Sequence, residues 1–162
     1  KIEVADVTGG KSEENCPGAL VFTLHDQEVR LDVIDDAEAN DFFLIFKDST
    51  SGKDTYGGGR FLHVPRPNDL GEVQIDFNRA YNPPCALTSF ATCPRTPAEN
   101  RLPVPVLAGE RQYRGASDFH RAMHHPAIPA KPEAARLAVS LHGLPVEPDC
   151  RDHDRPSALR RQ

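Results

Sequence analysis

Apolar and polar positions alternate along much of the first hundred residues, and that alternation predicts strands. Ile2-Glu3-Val4 opens the chain as a short extended segment. Leu20, Phe22 and Leu24 share one face of the next segment. Val29, Leu31 and Val33 repeat the period of two after a polar break at Asp26-Gln27, which predicts a hairpin with one buried face. Asp41 to Asp48 is a short apolar run bounded by acids and reads as a central strand, buried on both sides near its middle. Phe61 to Val64 forms another strand, stopped by Pro65 and Pro67. Glu72 to Asn78 follows with Val73, Ile75 and Phe77 inward. Val104 and Val106, set between prolines, predict an edge strand, where a missing N–H is tolerated. Closely spaced strands with turn signals between them imply a mostly β fold, an antiparallel sandwich or partial barrel with long ordered loops.

The pattern changes after Gly109-Glu110. Residues 1–110 are expected to form the β domain, and residues 111–162 an irregular, weakly helical tail. Pro132 to Leu141 reads as one short helix that Gly143 stops. The tail holds five of the seven histidines, and the rest of it lacks a face to bury, so weak order is expected. The chain begins at Lys1, and we read it as the later part of a longer domain.

Composition narrows the partners. A net charge of −5 over 162 residues argues against a general nucleic-acid binder, which needs a basic surface. The acid is concentrated early: residues 1–50 carry 12 acidic and 4 basic side chains, most simply a solvated surface. No apolar run is long enough to predict a membrane span and no signal peptide is visible, so a cytoplasmic location and no membrane partner are expected.

The densest chemistry lies between Thr55 and Asn100. Gly57-Gly58-Gly59 precedes Arg60 and reads as a tight turn or bulge entering a strand. As a phosphate loop it lacks both the spacing and a following helix. Arg60, held beside that turn, could clamp a carboxylate or phosphate. At the end of the next strand Asp76, Asn78, Arg79, Tyr81 and Asn82 bring acid, amide, cation and phenol together, and Pro83-Pro84 stiffens the exit. The bland alternative is that these side chains only satisfy loop backbone. Cys85 and Cys93 stand at no zinc spacing, and remain buried thiols, a disulfide, or one nucleophile with a polar partner. Cys16 and Cys150 carry little weight. His120, His124 and His125 sit in the tail and are left out of the site, so no metal and no cofactor is expected.

The blocks TYGGGRFL, DFNRAYNPPCA, ATCP, ENRLPV and AGE resemble a bacterial domain-of-unknown-function family. Its signature is TYxGGRFL…DFNRAYNPPCA…ATCPxxPxENRLPV…AGE, and the match spans about Phe43 to Glu110. The chain departs from it at Arg95-Thr96-Pro97-Ala98 and in the tail. The resemblance implies a mostly β domain and a site drawn from Tyr56, Arg60, Asp76, Asn78, Arg79, Tyr81, Asn82, Cys85, Cys93, Glu99 and Asn100. It implies no activity. Three readings follow. The first is a binding module for a small polar or anionic ligand, using Tyr56, Arg60, Asn78, Arg79, Tyr81, Asn82, Glu99 and Asn100. The second is a hydrolase or transferase using Cys85 or Asp76 with Arg79. The third is a loop lock with no site of its own. All three assume that the glycine turn and the proline corner meet at one sheet edge.

Overall fold

A computed structural model describes residues 1–113 and 136–140. The fold is mostly β and antiparallel, and the described residues form no closed barrel. Strand β1 (Ile2–Ala5) pairs with β2 (Lys11–Glu14) as a separate hairpin. The central sheet has the order β3 (Gly18–Leu24), β4 (Gln27–Asp36), β5 (Asp41–Phe46), β6 (Arg60–Pro65), each strand beside its sequence neighbour. Strand β7 (Glu72–Asp76) belongs to a third, two-stranded sheet.

Period two dictates what each face of the central sheet carries. Leu20, Phe22, Leu31, Val33, Leu44, Phe46, Leu62 and Val64 point to the main core, where Val73, Ile75 and Phe77 meet them. The Phe77 ring sits edge-on to Phe46, with centroids 5.4 Å apart. The opposite face carries Ile34, Phe43, Ile45, Phe61 and His63. Ile2 and Val4 of the first hairpin bury against this second face. That hairpin is held there by residues 93–95, through Val7 N–H to Cys93 O (3.1 Å) and Arg95 N–H to Ala5 O (2.7 Å).

Three expectations need correction. The strand expected to reach Asn78 ends at Asp76, because the Asp76 carboxylate accepts from the Asn78 N–H at 3.1 Å and caps a 3-10 turn over Phe77–Arg79. Val104 and Val106 are buried, but the expected edge strand is absent among the described residues. Pro103 and Pro105 remove alternate donors, and the Arg60 side chain takes up the Val106 carbonyl. The helix expected over 132–141 is instead, over Arg136–Ser140, strand β8, antiparallel to β7 with Val73 opposite Val139. The open edge of β7 offers a full row of backbone partners, and that pairing outweighs local helix propensity. The remainder of the tail, with His120, His124, His125 and Cys150, lies outside the described residues.

Candidate functional site

The glycine turn and the proline corner do meet, on β6. Phe61 and Tyr81 exchange backbone hydrogen bonds of 2.9 Å in each direction, and the Tyr56 hydroxyl donates to the Cys85 carbonyl at 3.4 Å. Gly59 makes this approach possible. Its φ is +101°, and a Cβ there would lie 2.2 Å from the Thr96 hydroxyl and 2.8 Å from the Phe46 carbonyl.

Several residues expected to hold a ligand are consumed by the fold. Arg60 is 1% exposed. Its guanidinium donates to the Val106 carbonyl at 2.8 Å and to the Ala108 carbonyl, lies over the Phe46 ring, and sits 3.7 Å from the buried Asp48 carboxylate. Arg60 therefore straps residues 104–110 to β6, its donors directed at the carbonyls of that segment. Gly109 completes that strap: its φ is +84°, and a Cβ would lie 2.7 Å from both the Phe77 and Ala80 carbonyls. Asn100 is also 1% exposed. The β4–β5 ladder runs from Asp36↔Asp41 to Ile34↔Phe43. Beyond it the Asn100 side chain donates to Asp32 O (2.9 Å) and Ile45 O (3.0 Å) and accepts from Asp32 N–H (2.7 Å). An amide side chain there does the work of a ladder rung.

The remaining expected residues scatter. Asn82 donates to the Arg111 carbonyl at 2.8 Å, and its N–H meets the Glu110 carboxylate at 2.8 Å. Asp76 is occupied as a cap, receiving both the Asn78 N–H and its side-chain amide. Asn78, Arg79 and Glu99 are exposed. Cys85 and Cys93 are free thiols, and the Cys85 N–H donates to the Cys93 sulfur at 3.2 Å. Burial pushes the Cys93 thiol above its ordinary pKa, opposite to what a nucleophile needs. The Cys85 sulfur meets the Tyr56 hydroxyl at 3.8 Å.

Tyr81 is the expected residue that leads to open chemistry. Its hydroxyl lies 3.1 Å from His63 Nε2, and His63 Nδ1 lies 3.2 Å from each oxygen of Asp41. A neutral imidazole here donates from Nδ1 to the carboxylate, leaving Nε2 to accept from the phenol. The His63 and Tyr81 rings are parallel within 2°, and Phe43 packs on the other side of His63 at 5.0 Å. Burial raises the Tyr81 pKa, and Asp41 and Asp36 push it the same way, so the phenol keeps its proton. Asp36 stands directly opposite Asp41 across β4 and β5.

Beside this chain of polar groups opens a cleft of about 360 Å³ between the first hairpin and the second sheet face. Val4, Ile34, Phe43, Ile45 and Pro94 form its apolar lining, and Glu14, Asp35, Asp36 and Glu38 its acidic one. Asp35 is already paired with Arg66. Among the described residues, no basic side chain lines the cleft. The sequence reading missed Asp36, Asp41 and His63. The available signal was the alternation that puts Asp41, Phe43 and Ile45 on one face of an otherwise apolar strand.

Residues 1–111 match the family described as "Protein of unknown function (DUF1684)". The chain is also similar to an uncharacterized protein of Haloarcula marismortui, solved by solution NMR. The two are 29% identical with a TM-score of 0.55, over 68% of this chain and 63% of that one. The chain thus spans a little under two thirds of that relative's length. Comparison with curated proteins finds no match.

Proposed function

The chain belongs to the DUF1684 family of proteins of unknown function, and we propose that it is a small-molecule-binding domain whose site is the cleft on the second face of the central sheet. The ligand class follows from the lining. An apolar body fits against Ile34, Phe43 and Ile45, and a positively charged or strongly donating head fits against Glu14, Asp36 and Glu38. An anion is disfavoured there, because the carboxylates of Glu14, Asp35, Asp36 and Glu38 line the cleft. The observation that carries the reading is the cleft itself. Its volume of about 360 Å³ lies within the range of roughly 300–1,000 Å³ typical of small-ligand sites.

Titrating the isotope-labelled chain with phenethylamine and, separately, with phenylacetate tests this reading, with a chelator present throughout. Amide shifts of Ile34–Glu38 and Phe43 should move with the amine and stay still with the acid. Equal response to the acid, or amine-induced shifts centred on Arg79 and Asn82, would end the proposal.

A further inference from the structure

We propose that Asp36, Asp41 and His63 form a binding site for a divalent transition-metal ion, with Tyr81 as the outer partner that orients the histidine. This goes beyond the organic-ligand cleft and does not depend on it.

Three adjacent strands each supply one ligand to the same face: Asp36 ends β4, Asp41 begins β5, and His63 lies in β6. One donor atom from each residue lies within 4.8 Å of the other two. Donors bound at ~2.1 Å and set 90–109° apart stand about 3.0–3.4 Å from one another, so small side-chain rotations close the set around an ion. Strand positions fix the backbone, which keeps the cost of ordering low.

The arrangement around His63 is what separates this cluster from ordinary surface acids. Nδ1 faces the Asp41 carboxylate at 3.2 Å from each oxygen, while Nε2 lies against the Tyr81 hydroxyl at 3.1 Å. A metal-ligating histidine nearly always has its far nitrogen tied to an oxygen, which sets the tautomer and the ring direction. With an ion at Nδ1, the Nε2–H donates to Tyr81, whose ring is already parallel to the imidazole and packed on Phe61. Asp36 and Asp41 place two carboxylates directly opposite one another, a destabilising pair unless a cation joins them. Two carboxylates and a dication make a neutral site. The imidazole favours zinc or iron over magnesium and calcium, and the two carboxylates also accommodate manganese. Three protein ligands leave coordination positions open, and Asp36, which also lines the cleft, places the ion at the cleft's end.

The test uses the full chain, labelled with nitrogen-15 and titrated with manganese(II) well below one equivalent. Amide signals from Asp36 to Phe43, with those of His63 and Tyr81, should broaden first. Zinc calorimetry on Asp41→Asn and His63→Gln should show the matching binding event weakened about 100-fold or lost, and Tyr81→Phe weakened roughly 10-fold. Broadening that spares Asp36 to Phe43, or a binding event unchanged in both ligand variants, overturns the proposal. If a variant unfolds, the wild-type broadening map alone decides the question.

Discussion

Replacing Arg60 with methionine separates a strap from a ligand clamp. The substitution keeps a long apolar stem beneath the strap and deletes a guanidinium that serves the Val106 and Ala108 carbonyls and the buried Asp48. Removing one member of a buried ion pair costs about 3–5 kcal/mol, because the other charge is left behind. Asp48 softens that loss. It still accepts from the Val106 N–H (2.6 Å) and from the Thr50 (2.8 Å) and Ser51 (3.1 Å) hydroxyls. The two abandoned carbonyls add to it, so we expect roughly 3–4 kcal/mol in total. With a urea slope of about 1.5–2 kcal/mol per molar for a domain of this size, the midpoint should fall by roughly 2 M with little change in slope. Arg60→Lys should recover less than half of the loss, since one ammonium cannot span the positions a planar fork reaches. Urea unfolding followed by circular dichroism measures both. A midpoint shift below about 0.5 M in Arg60→Met, together with lost binding of a phenylacetate-like anion, would refute the reasoning and restore Arg60 as a ligand contact.

Other outcomes follow from the same contacts. Gly109→Ala places a side chain at positive φ, 2.7 Å from two carbonyls, and should cost about 2–4 kcal/mol by the same urea assay. Burial raises the Tyr56 pKa above its ordinary value of 10.0, with Cys85 adding to the rise. The folded state therefore holds its proton longer than the unfolded one. The stabilisation is full below pH 10 and is lost as pH climbs through the folded value, so Tyr56→Phe should flatten the alkaline fall in stability measured between pH 9 and 11. Cys93, buried and with a raised pKa, should resist iodoacetamide in the native chain at pH 8 while the half-exposed Cys85 is modified first, as peptide mass spectrometry would show.

The strands were legible because each buries one face, and burial on one face writes a period of two. Leu20, Phe22 and Leu24, then Val29, Leu31 and Val33, give β3 and β4 nearly residue by residue. The corner at Pro83-Pro84 and the glycine turn were legible as rigid and permissive backbone. Their destination was not. Nothing around Arg60 indicates that its partners are carbonyls 46 positions further along. Alternation also assigns faces without assigning register. Asp36, Asp41 and His63 can each be placed on the second face from sequence, yet only the pairings Ile34↔Phe43 and Phe43↔His63 bring them together. Strand β8 was unreadable for a related reason. Its stability belongs to the open edge of β7 and not to its own residues.

The rung that Asn100 supplies between Asp32 and Ile45 sets an order of events. It comes from 68 positions beyond Asp32, whereas the hairpins it joins are made of neighbours in sequence. As the chain leaves a ribosome, β3 to β6 can zip together early, because short loops close at little entropic cost. Beyond the Ile34↔Phe43 pair, the seam between Asp32 and Ile45 stays open until Asn100 has cleared the exit tunnel. A nascent chain stalled just short of that residue should be digested by protease at the seam, and one a few dozen residues longer should survive.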